Sequence, residues 1–309
     1  MLISIIIPIF NRACYLPRLF HSLKQQTYRP LEIILVDNNS TDTSFQLCQT
    51  FCNESWQNGF KVICLKEEKK GSCACRNTGL KAARGTYVYF FDSDDEFSQN
   101  FLEEAATLLP YADMICFPTV MVMPNGKLQQ RATTYTTSVV DQIISAMLSS
   151  QSFLVKRQFI LKCGGWNEHL MRWNDWELGI RLLLHSPQLH WIRGHSFHRI
   201  YQHQNSISGT NLQTDLPTLE NSMAAAKQDL ARAVLPFHEQ RRAYNALISK
   251  GLLLASAVYR EGAKTTAKNL SRRLFQTISS RSFRITATIL YHLSRIGMRG
   301  TWRIYRLFL

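Results

Sequence analysis

Four things are scarce or missing in this 309-residue chain, and each narrows what it can be. No run of about 18 apolar residues occurs, so no membrane-spanning helix is expected. The opening MLISIIIPIF is apolar, but it lacks a basic flank and breaks at Pro8, so it reads as a buried strand and not as a signal peptide. No pair of CxxC motifs is present among the eight cysteines, at 14, 48, 52, 64, 73, 75, 116 and 163, so a structural zinc site is not expected. Cys64 and Cys116 lie inside apolar runs, and the set reads as reduced, buried thiols of a cytosolic protein. There is no internal repeat and no low-complexity tract. Acidic residues are nearly absent from the C-terminal quarter. Residues 1–226 hold 20 Lys+Arg against 19 Asp+Glu, whereas residues 227–309 hold 16 against 3. The first region reads as a nearly neutral globular body. The second carries the basic character, and an acidic surface partner should meet it there.

What is present is an alternation. Leu2–Ile9, LEIILVD (31–37), FKVICL (60–65) and TYVYFFD (86–92) read as strands. Between them lie helical stretches: one from a candidate N-cap at Asn11, one after NSTD, and one over SCACRNTGLKAARG with Gly85 at its C′ position. A further helix is expected over 98–109. Strands buried on both faces and separated by helices imply βαβ units and a mostly parallel sheet. Beyond residue 112 the pattern predicts two strands about a Pro124-Asn125-Gly126 turn, then a strand, a short helix and a Gly164-Gly165 turn. A helix from Asn174 or Asp175 and a strand pair over LHWIRGHSFHRIYQHQNSIS follow, and the chain is helical after about 211. A boundary near 215 separates residues 1–215, with halves 1–110 and 111–215, from a basic helical region, 216–309.

The densest chemical signal is YVYFFDSDDEF at 87–97, an apolar strand that runs into four carboxylates within five residues. At about 5 Å and an effective dielectric near 20, each pair of such charges repels by roughly 3 kcal/mol. Solvent in an acidic turn can relieve that, and so can a divalent cation, which wants several carboxylate oxygens in one place. In an open parallel sheet, ligands bind outside the carboxyl ends of the strands. Two strands here end in acids, at Asp37 and Asp92, and both ends should share one edge.

Six segments then stand in order: SIIIPIFNRACYL, LEIILVDNNSTD, CRNTGLKAARGTYVYFFDSDDEF, CGGWNEHL, RWNDWELGIRLL and YQHQNSIS. Together they resemble the family 2 glycosyltransferases over about residues 1–210. The resemblance implies a GT-A fold, a Rossmann-like, mostly parallel α/β sheet flanked by helices. It implies an inverting transfer from a nucleotide-sugar donor, with UDP-sugar expected, to a hydroxyl of a saccharide or lipid-linked saccharide in cell-surface polysaccharide synthesis. By the same resemblance Asp92-Ser93-Asp94 is the DxD motif. Asp94 ligates Mg²⁺ or Mn²⁺, and Asp92 contacts the ribose or the metal. Asp37 accepts a hydrogen bond from the base, Pro8, Phe10 and Asn11 border it, and Arg76 contacts the nucleotide or its phosphates. Asp175 is the catalytic base, and His203 holds the metal or the diphosphate.

Plainer roles stand beside these. Asp37 can make a turn or cap a helix, Arg76 can pair with Glu67 or Glu68, and Asp175 can cap the helix it opens. Asp95 and Glu96 can be solvated or cap the next helix. Trp173 and Trp176 can pack in a core instead of under a sugar ring, and His195 and His198 rival His203. Two positions depart from the family pattern, Asn38 and Asn174, where acids are usual. They leave open a non-catalytic, nucleotide-sugar-binding subunit of the same fold. A nucleotidyltransferase would normally want a Gly-rich phosphate loop after the first strand, and PIFNRACYL has none. No QxxRW motif is present, which argues against a processive polymerase. Residues 227–309 mix Arg and Lys with Leu, Ile, Phe and Tyr, a composition suited to an anionic membrane surface or to helices packed with their charges solvated. No nucleic-acid-binding motif accompanies the charge. The expected location is cytoplasmic, peripheral on the inner membrane face if the basic region binds lipid.

Overall fold

The computed structural model describes all residues except 55, 57–58, 131–133, 195–196, 203–210, 299 and 308–309. In chain order the first elements are β1 (Ile3–Ile9), α1 (Leu16–Lys24), β2 (Leu31–Asp37), α2 (Ser44–Cys52), β3 (Phe60–Lys66), α3 (Ser72–Ala82), β4 (Tyr87–Phe90) and α4 (Phe101–Ala106). Then come β5 (Met114–Cys116), β6 (Val120–Val122), β7 (Leu128–Gln130), α5 (Val139–Ser145), β8 (Phe153–Lys156), α6 (Arg157–Lys162), α7 (Asn174–Leu184), β9 (Leu189–Trp191) and β10 (Arg199–Tyr201). Five helices end the chain: α8 (Leu212–Arg232), α9 (Phe237–Arg260), α10 (Lys264–Gln276), α11 (Arg281–Arg295) and α12 (Thr301–Leu307).

Contacts divide the chain into two units. The first comprises residues 1–135, 148–171 and 185–206; the second comprises 136–147, 172–184 and 207–309. Segments 136–147 and 172–184, which precede the expected boundary at 215, therefore group with the C-terminal helices.

The first unit is built on a seven-stranded sheet of order β3-β2-β1-β4-β8-β5-β9, antiparallel only where β8 meets β4 and β5. The continuous apolar runs form its centre because both faces are covered: every residue of β2 is buried. Parallel register sets Ile9 against Asp37, and Ile6 against Phe90. Asp37 and Asp92 thereby reach the same edge, as expected. A small second sheet, β10-β6-β7, contains the expected hairpin over 120–130.

Several local expectations are corrected. Asn11 is not an N-cap: it adopts a left-handed φ of 51°, and α1 begins five residues later, with Tyr15 before it. Gly85 does not close α3 from a left-handed C′ position. It is required by close approach, because a Cβ there would lie 2.6 Å from Ser4 Oγ and 2.7 Å from Ser4 N. Gly79 has the same reason, since its Cβ would meet Ile6 Cγ2 at 2.3 Å as α3 packs on β1. The two strands within 189–201 do not pair with each other. β9 joins the large sheet beside β5, and β10 joins the small one beside β6. Cys14 is exposed, although all eight cysteines are free thiols as expected.

The second unit is helical, with α5 and α7 packed among the C-terminal helices around a core that includes Ile143, Trp176, Leu219, Leu252 and Leu290. Here the apolar residues recur at helical spacing and close one shared interior.

Candidate active site

The carboxyl edge of β1 and β2 holds the first group. Asp37 is only 2% exposed. Its Oδ2 accepts from the Ser40 amide at 3.1 Å, while its Oδ1 is buried with no hydrogen-bond partner. An orphaned carboxylate oxygen is costly, and it marks a place where a donor from outside would be stabilised. Asn11 Oδ1 accepts from the Thr41 amide at 2.8 Å, which ties the β1 loop to the β2 loop. Pro8 is half-buried, and Phe10 stands 54% exposed at the same strand end.

Asn38 has a structural task that explains the departure from an acid. Its Nδ2 donates to the carbonyls of Glu67 and Lys69, both at 2.8 Å, and its Oδ1 accepts from the Gly71 amide at 2.7 Å. A carboxylate could not donate to those two carbonyls. Asn38 therefore braces the loop from β3 to α3.

The acidic loop is not simply solvated. Asp92 Oδ1 accepts from the Arg76 guanidinium at 2.7 Å. Arg76, 5% exposed, is held in place by Ser72 Oγ at 3.2 Å and by the Trp166 ring, 4.4 Å from its guanidinium carbon. Its ion pair is thus with Asp92 of the acidic loop. Asp94 pairs with Arg12 at 3.5 Å, and Arg18 donates to the Asp94 carbonyl while stacking 3.7 Å over the Tyr201 ring.

Asp95 corrects the solvated-turn alternative. It is 2% exposed, and it accepts from the Tyr201 amide at 2.7 Å and from Gln151 Nε2. Burial, helped by the nearby Asp94 and Asp92, pushes its carboxyl well above the usual range. Glu96 bonds the Tyr201 hydroxyl at 2.7 Å and bridges to Arg199, so it fastens the loop to β10 instead of capping a helix. Three arginines and one suppressed ionisation thus answer the crowding of four acids. Ser150, which reaches Asp92 Oδ2 at 3.4 Å, and Gln151 precede β8, and only tertiary structure brings them here.

The histidines divide. His198 is fully buried among Tyr89, Phe91, Phe97 and Phe101, and burial lowers its pKa to about 3. Its Nδ1 accepts from the Ser98 amide at 3.2 Å, so it is a neutral core residue and not a ligand. His195 and His203 lie outside the described residues. Among the described residues, no group of three His, Cys, Asp or Glu side chains is placed to hold a metal ion by itself.

Asp175 belongs to the second unit, in the first turn of α7, where the helix dipole favours an anion. Its Oδ1 accepts from the Trp176 amide at 2.8 Å, so it serves the helix start while remaining half-buried. Trp173 precedes it with a left-handed φ of 49°, a strained geometry for a bulky residue. Trp176 is core, 1% exposed, with Nε1 donating to the Ile143 carbonyl at 3.0 Å. The sequence reading missed Lys250 of α9. Its Nζ donates to the Ile144 carbonyl at 3.2 Å and lies 5.1 Å from the Trp173 ring centre. Burial lowers its pKa to about 8, against an opposing pull from Asp175. Two residues along α7, buried Glu177 makes a two-toothed contact with Arg181 at 2.7 and 3.0 Å. Asp229 of α8 is pushed up to about 7 by burial and by its hydrogen bond to Glu177.

Comparison with known proteins places this geometry. The family model described as Glycosyl transferase family 2 matches residues 4–168. The minor teichoic acid biosynthesis protein GgaA of Bacillus subtilis is 41% identical over 105 residues, which are 32% of this chain and 23% of that one. The matches to the first curated relatives span at most 40% of those proteins' length. The S. aureus TarS 1-349 crystal structure, in complex with UDP-GlcNAc, superposes with a TM-score of 0.73 at 18% identity, covering 99% of this chain and 91% of that one. A mannosyltransferase from Pyrobaculum calidifontis, in complex with GDP-Man and Mn²⁺, does so with a TM-score of 0.60 at 14% identity, covering 99% and 86%.

Proposed function

The chain belongs to glycosyltransferase family 2 and has the GT-A fold, and from that premise we propose that it moves a sugar from a UDP-sugar to a hydroxyl of a saccharide or lipid-linked saccharide in cell-surface polysaccharide synthesis, with inversion. The observation that carries the donor assignment is the buried, unpartnered Oδ1 of Asp37 beside exposed Phe10. A uracil ring offers an imide N–H to that oxygen and a flat apolar face to Phe10. Pro8 and Asn11 shape the same rim. The name of GgaA and the UDP-GlcNAc held by TarS support the polymer class and the uridine donor.

Asp92 and Asp94 offer hard oxygen donors, and 34% and 17% of their side chains stay exposed. That donor set fits Mg²⁺ or Mn²⁺ sharing its coordination with donor phosphates, in place of a closed protein cage. Asp94 would hold the ion with Asp92, and His203 remains the candidate third ligand. Bound there, a divalent cation supplies Lewis-acid neutralisation of the leaving diphosphate. Arg76 and Arg12 orient the two acids before any donor arrives. Asp175 takes the proton from the acceptor hydroxyl. That oxygen bonds to the anomeric carbon as the bond to the diphosphate breaks, and the electron pair leaves with the diphosphate. One displacement inverts the anomeric centre, and no covalent intermediate is needed.

The non-catalytic reading loses one of its two supports, because Asn38 is a brace and not a decayed acid. Among the described residues no helix is long and apolar enough to cross a membrane. Peripheral attachment is part of the proposal. It is supported by the basic balance of residues 227–309 and by Ile285 and Ile289, one turn apart on α11 and each more than half exposed. The test is calorimetry of UDP with and without Mn²⁺ on the wild type, Asp37→Ala and Asp94→Ala. Metal-dependent binding that weakens in both variants supports the site. Undiminished binding in Asp37→Ala removes the uridine assignment.

A further inference from the structure

The helical unit contains a groove lined by none of the residues assigned above to the transfer. Its deeper part, about 750 Å³, lies among α8, α9 and α10, with Met223, Leu247, Ile248, Leu270, Leu274 and Ile278 on its walls. That volume is typical of a small-molecule site. A second pocket, about 380 Å³, lies between α9 and the start of α11 and is lined by His238, Arg241, Arg242, Ser280, Ser282 and Thr286. The two pockets share Phe237, Arg241, Asn245 and Ser280, so they form one continuous groove. One end is apolar and the other cationic. The deeper part also carries Lys227 and Glu220, the latter paired with Arg273 at 2.7 Å; no carboxylate lines the other pocket, though His238 lies 3.9 Å from Glu239 Oε1. Phe237 is 79% exposed at the junction, and the exposed Ile285 and Ile289 continue along α11 from the residues that line the cationic end.

We propose that this groove binds a phosphorylated lipid, with the hydrocarbon chain between α9 and α10 and the phosphate against Arg241, Arg242 and His238. An apolar trough with a cluster of cations towards one end matches a molecule that has one long chain and one anionic head. A peptide would bring backbone donors and acceptors that the apolar walls leave unsatisfied. A nucleic acid would need a track of cations and stacking platforms, not one cluster. The exposed Phe237, Ile285 and Ile289 around the mouth suit entry from a bilayer, where an apolar rim among cations is stable. The inference rests on the reading of this chain as a peripheral membrane protein, and it adds a specific site to that reading.

The full-length protein is titrated calorimetrically with dodecyl phosphate below its micellar concentration, and with inorganic phosphate and dodecyl maltoside. The expected result is one dodecyl phosphate per chain, bound at least about tenfold more tightly than either comparison ligand. Asn245→Trp plugs the junction and Arg241→Gln removes the shared cation. Each should weaken dodecyl phosphate binding by about tenfold or more while UDP binding and the circular dichroism spectrum stay as in the wild type. Equal binding of dodecyl maltoside, or unchanged binding in both variants, overturns the groove. Sedimentation with phosphatidylglycerol vesicles separates this inference from the reading beneath it. If the wild type and Asn245→Trp sediment equally, the membrane reading stands and the groove falls. If the wild type stays in solution but binds dodecyl phosphate as expected, the groove stands and peripheral attachment falls.

Discussion

The two units hold their acids in opposite ways. At the sheet edge of the first, Asp92 and Asp94 remain partly exposed, and each has an arginine close by. In the second, Glu177 and Asp229 are drawn into a helical interior, where Asp229 is raised to about 7 and shares a hydrogen bond with Glu177. The first arrangement leaves carboxylate oxygens oriented and reachable, as the proposed donor and cation would require. The second stores a proton against α7, whose first turn carries Asp175. Asp95 shows that both treatments can meet in one loop, since it is buried and protonation-prone beside the partly exposed Asp92 and Asp94.

The largest expected effect breaks the second half of this comparison. Asp175→Asn should cut transfer by roughly 10²–10⁴-fold, the usual worth of a general base, while UDP affinity is unchanged. Full activity in a radiolabelled-sugar assay would remove Asp175 from the mechanism.

Next, Asp37→Asn tests the first half. A hydrogen bond to a charged group is worth about 1.5–3 kcal/mol, so UDP should bind roughly ten- to a hundredfold more weakly by calorimetry. The thermal midpoint should hold, because Asn keeps an oxygen for the Ser40 amide.

A smaller effect belongs to Lys250→Met. It removes the ammonium that donates to the Ile144 carbonyl at 3.2 Å and lies 5.1 Å from the ring centre of Trp173, close before Asp175 at the start of α7. With that charged hydrogen bond gone, kcat should fall by about tenfold while UDP affinity is unchanged, and Lys250→Arg should restore part of it. An unchanged kcat would leave Lys250 a packing residue only.

The smallest is a stability effect. Because the folded-state pKa of Asp229 is raised to about 7, the native protein holds a proton there that the unfolded chain has already lost. Stability should therefore fall as pH rises from the ordinary carboxylate range to about 7, and level off above it. Asp229→Asn removes that slope. Thermal midpoints of the two proteins should converge near pH 4 relative to their difference at pH 8, and parallel curves would exclude the assignment.

Much of the first unit was legible before any coordinates. Short apolar runs separated by helical stretches read as strands covered on both faces, and the parallel register then brings Asp37 and Asp92 to one edge. What misled was local chemistry with more than one use. Asn11 carries a good capping side chain, yet its left-handed backbone and its bond to Thr41 serve a loop. Gly85 has the look of a helix terminator, but it is there because Ser4 leaves no room for a Cβ. His198 sits in a polar-looking segment and is swallowed by aromatic rings.

By itself the sequence determined the strands, the shared edge of Asp37 and Asp92, the acidic loop after the fourth strand, and the basic balance of the last quarter. Periodicity and charge are local properties, so they survive without a fold. Only the tertiary structure decided which arginine meets which acid, that Asp95 is buried, that Asn38 is a brace and that Lys250 stands by Asp175. Those are contacts between residues 16 to 106 positions apart for Arg76–Asp92, Arg12–Asp94, Tyr201–Asp95 and the Lys250 bond to Ile144. No local pattern specifies such contacts, because the free energy that selects them comes from packing the whole unit.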